Sequence, residues 1–372
     1  MRTALCDTLG IDHPILGFTP SEHVAAAISR AGGLGVLGCV RFNDATELDA
    51  VLDWMDRNTD GRPYGVDIVM PASVPAEGTP VDLERLIPEK HKEFVDHTLL
   101  RLGVPPLDGD AAQRAGVLGW LHSVARSHVD VALAHPIRLI ANALGPPPAD
   151  VIDRAHRAGV AVAALAGRAE HAARHVEGGV DIVVAQGYEA GGHTGEIATM
   201  VLVPEVVDAV GERVPVLAAG GIGSGRQVAA ALALGAVGVW LGSYWLTTTE
   251  YQRTMGQSAL QPALLRARSS DTVRSRIYSG KPARLLRSRW TDAWAEPGAP
   301  EPLPMPLQNL LVGVAHQRLA QSGDPDLVAM PVGQIVGRMN EVLPVAEAMD
   351  RLVRETGDVL SRMDTLRKRP PA

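Results

Sequence analysis

The chain has 372 residues, enough for one large domain with extensions or for two to three smaller ones. Its formal net charge is -7 and its lysines and arginines are scattered, which argues against a nucleic-acid partner and against a polybasic membrane surface. Two cysteines, Cys6 and Cys39, exclude a disulfide framework and a thiolate metal site. We therefore expect a small-molecule substrate and no metal.

The beginning of the chain lacks the long apolar core of a secretory signal. No later segment reaches about 18 apolar residues without glycine or charge. We therefore expect a soluble, cytoplasmic protein that does not bind membranes. A homodimer is compatible with the sequence, which does not decide the oligomeric state.

Short apolar runs alternate with amphipathic segments of helical length, the pattern of βα units around a parallel sheet. Helices are predicted at 21–31, 44–58, 149–158, 168–177, 203–211 and 225–234. Strands are predicted near 14–18, 35–38, 64–70, 138–144, 160–166, 181–186, 214–219 and 237–242. Eight strands fit a closed (β/α)8 TIM barrel, an α/β fold.

Local signals mark the ends of several of these helices. Three polar residues can cap the amino ends: Ser21, Asp44 and Ser224. Glycines follow four helices, at the position where a left-handed residue commonly ends a helix: Gly32 and Gly33, Gly159, Gly178 and Gly179, and Gly235.

Two segments exceed a minimal barrel. Residues 72–130 form an insertion after the third strand, with a mixed-charge helix around 88–102 and an apolar helix around 111–127, and we expect a lid or a subunit contact there. We assign residues 1–250, including this insertion, to the barrel domain. Residues 251–372 form a mainly helical C-terminal extension, with helices expected near 307–322 and 331–366.

A glycine-rich loop over residues 185–195 follows the predicted sixth strand and contains His193. Loops after the strands build the active site of a βα barrel, so His193 is expected at the barrel mouth. An ordinary histidine pKa near ~6.5 would let it accept a proton at neutral pH. Glu189 could orient the ring or bond the loop backbone, and the sequence leaves both roles open.

Two more glycine turns follow the predicted seventh and eighth strands, at Gly220-Gly221 and at Gly242-Ser243. In βα barrels a phosphate often docks between these two loops. Main-chain N–H groups and the dipole of the helix at 225–234 would attract it. Either turn alone could simply connect a strand to a helix, but their occurrence after both strands favours phosphate binding.

Residues 185–195, followed by 218–222 and 241–243, resemble the nitronate monooxygenase family. Residues 30–35, 63–67 and 279–284 support the resemblance, and together these motifs span residues 11 to about 290. The C-terminal extension lies mostly beyond them.

The resemblance implies a βα barrel that binds FMN non-covalently. Its phosphate would lie at Gly220, Gly221, Gly242 and Ser243, and its flavin ring would be bordered by Gly17, Asp67, Gln186, Gly191 and Gly192. His193 matches the family's catalytic histidine, which takes the α-proton of a neutral nitroalkane or helps to bind an anionic nitronate. Reaction with dioxygen would then give a carbonyl compound and nitrite.

Two positions depart from the family pattern. The segment after the first strand reads Leu-Gly-Phe-Thr-Pro over residues 16–20, where members usually carry a Gln-Ala-Pro-Met type segment. Asp67 stands where members usually carry asparagine. A carboxylate there would disfavour an anionic reduced flavin unless it is protonated or paired.

A second class of enzyme has a similar loop. FMN-dependent enoyl-thioester reductases also carry Glu-Ala-Gly-Gly-His-x-Gly, and residues 196–200 resemble their pattern. Such an enzyme would pass hydride from NAD(P)H through FMN to an unsaturated acyl-ACP or acyl-CoA, or act on a related CoA-linked substrate. A flavin-binding module without catalysis is a third interpretation, which gives the histidine no purpose.

Overall fold

A computed structural model describes residues 1–70, 83–107, 122–255 and 258–368. Eight parallel strands close into a barrel, since the last strand pairs with the first. The predicted (β/α)8 TIM barrel is confirmed. Its strands are β1 (Ile15–Thr19), β2 (Leu34–Gly38), β3 (Tyr64–Asp67), β4 (Leu139–Asn142), β5 (Ala161–Ala166), β6 (Ile182–Gln186), β8 (Val216–Ala219) and β9 (Gly238–Leu241). The two-residue strand β7 (Gly192–His193) lies outside the barrel.

Helices follow the strands of the barrel. Those in the barrel half of the chain are Ala4–Leu9, Glu22–Arg30, Ala45–Asn58, Glu89–Arg101, His122–Ala132, Ala149–Arg157, Ala169–Glu177, Thr199–Val210, Gly225–Ala233 and Thr249–Met255. The helix predicted at 203–211 begins earlier, at Thr199, because Glu189 accepts a hydrogen bond from the Thr199 N–H.

The capping predictions are confirmed at two of three helices. Ser21 accepts a hydrogen bond from the Val24 N–H, and Asp44 accepts one from the Glu47 N–H. Ser224 occupies the N-cap position but makes no capping bond, because its hydroxyl donates to the side chain of Gln227. Left-handed glycines follow the four expected helices, at Gly32, Gly159, Gly179 and Gly235.

The interior of the barrel is apolar, and one of its ends is closed. The inward side chains form a cluster of Leu16, Leu34, Val36, Leu139, Ala141, Ala163, Ile182, Val184, Leu217, Ala219 and Trp240. The helix Ala4–Leu9 adds Leu5, Cys6 and Leu9 to the same cluster. Since this helix packs below β1, the carboxyl ends of the strands form the mouth.

The C-terminal extension adds a second sheet and more helices. The sheet pairs β10 (Thr272–Ser275) with β11 (Ala283–Leu286), and β11 with β7. The helices are Leu260–Arg266, Arg289–Ala293, Leu307–Gln321 and Val345–Lys368. The prediction of one helix over 331–366 is wrong for residues 331–344. There the Gly333 N–H donates to Ser243 Oγ and the Gln334 N–H to the Glu189 carbonyl, contacts that draw the segment onto the barrel.

The described parts of the insertion contact two different regions. The helix Glu89–Arg101, close to the prediction of 88–102, packs against Leu307–Gln321 of the extension. The helix His122–Ala132 packs against Ala45–Asn58 as part of the barrel ring. The predicted helix at 111–127 falls outside the described residues up to position 121. No helix within the described ranges is both long and apolar enough to cross a membrane.

Candidate active site

Three loops that the sequence singled out meet at the barrel mouth. We call residues 187–195 the histidine loop, Gly220 and Gly221 the β8 corner, and Gly242 and Ser243 the β9 corner. They follow β6, β8 and β9, which are neighbours in the sheet: Gln186 lies opposite Ala219, and Ala219 opposite Trp240. The carboxyl ends of adjacent parallel strands share one edge, so these loops share one rim.

His193 is held by a partner from the extension. Its Nε2 lies 2.6 Å from Oγ of Ser279, a fully buried residue that itself accepts a hydrogen bond from the Lys281 N–H. Strand pairing fixes the backbone, because Ala283 lies directly opposite His193. The other ring nitrogen, Nδ1, has no hydrogen-bond partner among the described residues. It is therefore the nitrogen available to a substrate.

The environment keeps the imidazole neutral. Burial lowers the pKa of His193 to about 4, and the positive charge of Lys281 contributes in the same direction. At neutral pH His193 can accept a proton, but it is a weaker base than an exposed histidine.

Glu189 does not orient His193. Its Oε2 accepts hydrogen bonds from the Thr199 N–H at 2.9 Å and from Thr199 Oγ1 at 2.8 Å. The same hydroxyl oxygen lies 3.0 Å from the carbonyl oxygen of Gly220. Of the two roles that the sequence left open, Glu189 therefore bonds the backbone, and through Thr199 it joins the histidine loop to the β8 corner.

The two corners have the features of an anion cradle. Gly220 and Gly221 adopt φ of +98° and +69°, where a side chain would be strained. Within the described part of the chain, the N–H groups of Gly221 and Gly242 have no backbone acceptor. Ser243 Oγ accepts from the Gly333 N–H at 2.8 Å and keeps its own proton to donate. These donors suit a phosphate.

The helix at Gly225–Ala233 contributes less to this cradle than the sequence suggested. The Gly225 N–H donates to Glu355 Oε2 at 2.9 Å, so a carboxylate from the C-terminal helix already occupies its amino end. The Gly223 N–H is bonded to Gln227. The amides of the two corners are therefore the donors that we assign to an anion.

Two polar side chains point into the barrel mouth. Alternate residues of a strand point to the same side of the sheet. The interior cluster includes residues 16 and 18 of β1 and residues 182 and 184 of β6. By the same alternation, Asp67 at the end of β3 and Gln186 at the end of β6 point into the barrel. Asp67 is 3% exposed, and burial raises its pKa to about 7. Its carboxyl group is thus partly protonated at neutral pH, which reduces the conflict with an anionic reduced flavin.

Packing explains two of the glycines predicted to border the flavin. A Cβ on Gly17 would point outward, 2.4 Å from Ile28 Cδ1. A Cβ on Gly191 would lie 2.7 Å from the Gly333 nitrogen. Only their main chains can border a cofactor. Gly192, with φ of +74°, sits in β7 beside His193.

The motif over residues 279–284 supports the family resemblance, but the sequence predicted no role for its individual residues. Besides Ser279, it contains Arg284, which is 3% exposed and donates two hydrogen bonds to the Tyr188 carbonyl, at 3.1 and 3.0 Å. Its guanidinium also lies 4.4 Å from the centre of the Tyr188 ring. Arg284 therefore fixes the start of the histidine loop. Only the pairing of β11 with β7 could reveal this.

One acidic group among the described residues has the spacing of metal ligands: Asp53, Asp56 and His135. It lies beside Tyr64, at the start of β3 and thus at the end of the barrel opposite the mouth, where Tyr64 donates to Asp56 at 2.6 Å. It has no connection to the site described above.

Comparisons with known proteins agree with this geometry. A protein of Mycobacterium tuberculosis named as a candidate monooxygenase is 49% identical, covering 99% of this chain and 100% of that protein. The structure of nitroalkane oxidase from Streptomyces ansochromogenes superposes with a TM-score of 0.79 at 28% identity, covering 97% of this chain and all of that one. FabK from Thermotoga maritima gives a TM-score of 0.72 at 26% identity, with 98% and 99% covered.

The family model described as nitronate monooxygenase matches residues 2–355, nearly the whole chain. The match includes the histidine loop, both corners and the motif that supplies Ser279. The chain therefore belongs to the nitronate monooxygenase family and is an oxidoreductase of that type.

Proposed function

We propose that the protein is an FMN-dependent oxidoreductase that oxidises nitronates, or the parent nitroalkanes, with dioxygen to a carbonyl compound and nitrite. The observation that carries the proposal is the neutral His193, its Nδ1 unpartnered among the described residues, on the same rim as the β8 and β9 corners. A nucleophile or metal is not needed for this chemistry, because the cofactor supplies the redox step.

The residues present fit FMN. The β8 and β9 corners would hold its phosphate through the N–H groups of Gly221 and Gly242 and the hydroxyl of Ser243. Asp67 and Gln186, with the main chains of Gly17, Gly191 and Gly192, would border the ring. When bound, FMN supplies electron transfer from the substrate and reaction with dioxygen.

The protein's own contribution is placement and proton transfer. Ser279 holds Nε2, so that Nδ1 of His193 faces the substrate and accepts the α-proton of a neutral nitroalkane. Since burial makes this nitrogen weakly basic, a preformed nitronate, which needs no deprotonation, should be the better substrate.

The second candidate is an NAD(P)H-dependent enoyl-thioester reductase. It is supported by the Glu-Ala-Gly-Gly-His-x-Gly loop over residues 189–195 and by the likeness to FabK. In that reaction NAD(P)H would reduce the flavin, and nitronate would not be required.

Anaerobic reduction of the flavin separates the two candidates. The purified protein, loaded with FMN, is mixed with propyl nitronate or, separately, with NADPH, and the loss of the oxidised flavin absorbance is followed. We expect rapid bleaching by propyl nitronate and, in air, release of nitrite. Rapid bleaching by NADPH alone would reject the monooxygenase function, and failure to bind FMN would reject both candidates.

A further inference from the structure

Ser279, the residue that holds His193, lies in the loop that joins β10 to β11. Its side chain is short, so the position of its Oγ follows the main chain of this loop. The two atoms are 2.6 Å apart, and a shift of the loop by about 1 Å would weaken or break the hydrogen bond. The contacts that hold this loop therefore decide whether Ser279 meets His193.

The helix Leu307–Gln321 holds the loop at two consecutive residues. Gln308 is fully buried, and its Nε2 donates to the Ile277 carbonyl at 2.9 Å. About two turns later, the imidazole of His316 lies against the ring of Tyr278, with centroids 5.1 Å apart and planes 19° apart. This is the geometry of an offset aromatic stack. The hydrogen bond fixes the main chain at residue 277, and the stack fixes the side chain of residue 278, directly before the serine.

The imidazole also contacts a row of aromatic rings that leads to the insertion. Trp290, which is fully buried, meets His316 edge to face at 6.2 Å. Trp294 meets Trp290 at 6.0 Å, and Phe94 of the insertion meets Trp294 at 4.8 Å, both edge to face. Packing that reaches from the extension to the insertion therefore holds His316 in place as a support for Tyr278.

Stability alone does not explain a histidine at position 316. Burial lowers the pKa of His316 to about 4, so the ring is neutral at neutral pH. Its Nε2 is buried and has no hydrogen-bond partner among the described residues. An unpaired buried nitrogen costs stability, and a leucine would avoid this cost. A leucine would not supply a flat ring that stacks on Tyr278.

We propose that His316 is a positioning residue of the reaction: by stacking on Tyr278 it fixes the loop between β10 and β11, so that Ser279 Oγ lies against Nε2 of His193. The inference rests on the proposed function for its kinetic part. When Nε2 carries the proton and donates it to Ser279, Nδ1 has none and can accept the α-proton of a nitroalkane. His316 acts through the loop and is not itself a catalytic residue.

The tautomer of His193 tests the proposal without turnover. In the FMN-loaded full-length protein at neutral pH, NMR of the ring nitrogens shows which one carries the proton, and the signals are assigned by their loss in His193→Asn. We expect the proton on Nε2 in the wild type, and a mixture of tautomers in Ser279→Ala, which lacks the acceptor. His316→Leu should move the signals toward those of Ser279→Ala. Signals of His316→Leu that match the wild type would overturn the proposal.

Conservative variants test whether the ring itself is needed. His316→Phe and Tyr278→Phe each keep a flat ring at the contact and should keep the wild-type tautomer. His316→Leu and Tyr278→Leu should behave alike, and the double variant should be no worse than either single variant, since both remove one contact. Losses that add would show that the two residues act separately and would contradict the proposal. His97→Leu, at an exposed histidine of the helix Glu89–Arg101, is the matched control and should change nothing.

Turnover and stability complete the test. His316→Leu should lower kcat for neutral nitroethane about 10- to 100-fold, since a displacement of about 1 Å can cost that much, and should leave KM near the wild-type value. Propyl nitronate, which needs no deprotonation, should be oxidised at nearly the wild-type rate. The Tm should stay near that of the wild type, because removal of an unpaired buried nitrogen offsets the lost stack. Equal losses of rate with both substrates, together with a lower Tm, would assign His316 a purely structural role.

The proposed function and the positioning role can fail separately. If the tautomer shifts in His316→Leu but the wild type turns over neither nitroalkane nor nitronate, the positioning role stands and the proposed function fails. If the wild type oxidises nitronate but the tautomer is the same in both proteins, the proposed function stands and the positioning role fails.

Discussion

At the scale of single residues, the site depends on two ionisable groups whose charge is set by burial. His193 is neutral because its pKa is lowered to about 4, and Asp67 is partly neutral because its pKa is raised to about 7. Neither value follows from the residue type. Each residue is the last of a short strand, Asp67 of β3 and His193 of β7, and the end of that strand lies at the barrel mouth.

The role of His193 predicts a selective loss of activity. His193→Asn should slow turnover of a neutral nitroalkane by about 10²–10⁴-fold, since this is the usual contribution of a general base. FMN content should stay near that of the wild type, because the corners are untouched. Steady-state rates and flavin absorbance measure both, with His156→Asn at the exposed pair with Asp181 as control. An unchanged rate would remove His193 from the mechanism.

The raised pKa of Asp67 predicts a pH-dependent stability. In the folded protein this carboxyl group keeps its proton up to about pH 7, whereas in the unfolded chain it loses it near 3.8. Its contribution to stability is therefore complete below about pH 4 and is lost as pH rises through 7. The free energy of unfolding of Asp67→Asn minus that of the wild type should therefore be larger at pH 8.5 than at pH 5. Urea denaturation of FMN-free protein at both values measures this, and a difference in the opposite direction contradicts it.

At the scale of elements, the site is a set of loops tied together across the rim. Glu189 and Thr199 join the histidine loop to the β8 corner, and Gly333 is bonded to Ser243 of the β9 corner. Strand β11 and Arg284 hold the histidine loop from the other side. The conformation of the glycines allows the main chain to turn at these points.

The β8 corner predicts a specific loss of cofactor binding. Gly221→Val should weaken FMN retention, because a branched side chain would stand where the phosphate approaches the main chain. Gly159→Val is a matched control: it has the same φ of +69° and open space around its Cβ, but it ends a helix between β4 and β5. Fluorescence titration with FMN compares the two. Equal affinity in both variants would move the phosphate site elsewhere.

At the scale of the whole molecule, the C-terminal extension forms part of the barrel's active face. The segment that joins its strands β10 and β11 supplies Ser279, and residues 331–335 cross the rim. Its last helix, Val345–Lys368, packs along Gly225–Ala233 and Glu22–Arg30. There Thr356 Oγ1 lies 3.3 Å from the Gly225 carbonyl oxygen. The barrel and its extension therefore form one unit at the site.

Docking of this helix predicts a loss of stability at one glycine. A Cβ on Gly225 would lie 2.3 Å from Glu355 Cβ and 2.4 Å from the Thr356 nitrogen, so Gly225→Ala should cost about 1–3 kcal/mol. Gly357→Ala, one residue beyond Thr356 with nothing within 4 Å of its Cβ, should instead be neutral or stabilising by up to about 1 kcal/mol. Thermal unfolding measures both, and equal effects would show that the helix is not docked here.

The sequence by itself determined the eight barrel strands, the helix ends at Gly32 and Gly159, and the position of His193 after β6. These features are local: side-chain alternation, helical periodicity and left-handed glycines act over a few residues. Only the tertiary structure decided that Ser279, 86 residues later, holds His193, and that Glu189 bonds Thr199 instead. It also decided that residues 331–344, for which the sequence predicted a helix, instead contact the rim of the barrel. Such contacts depend on how distant segments pack, and no local pattern records that.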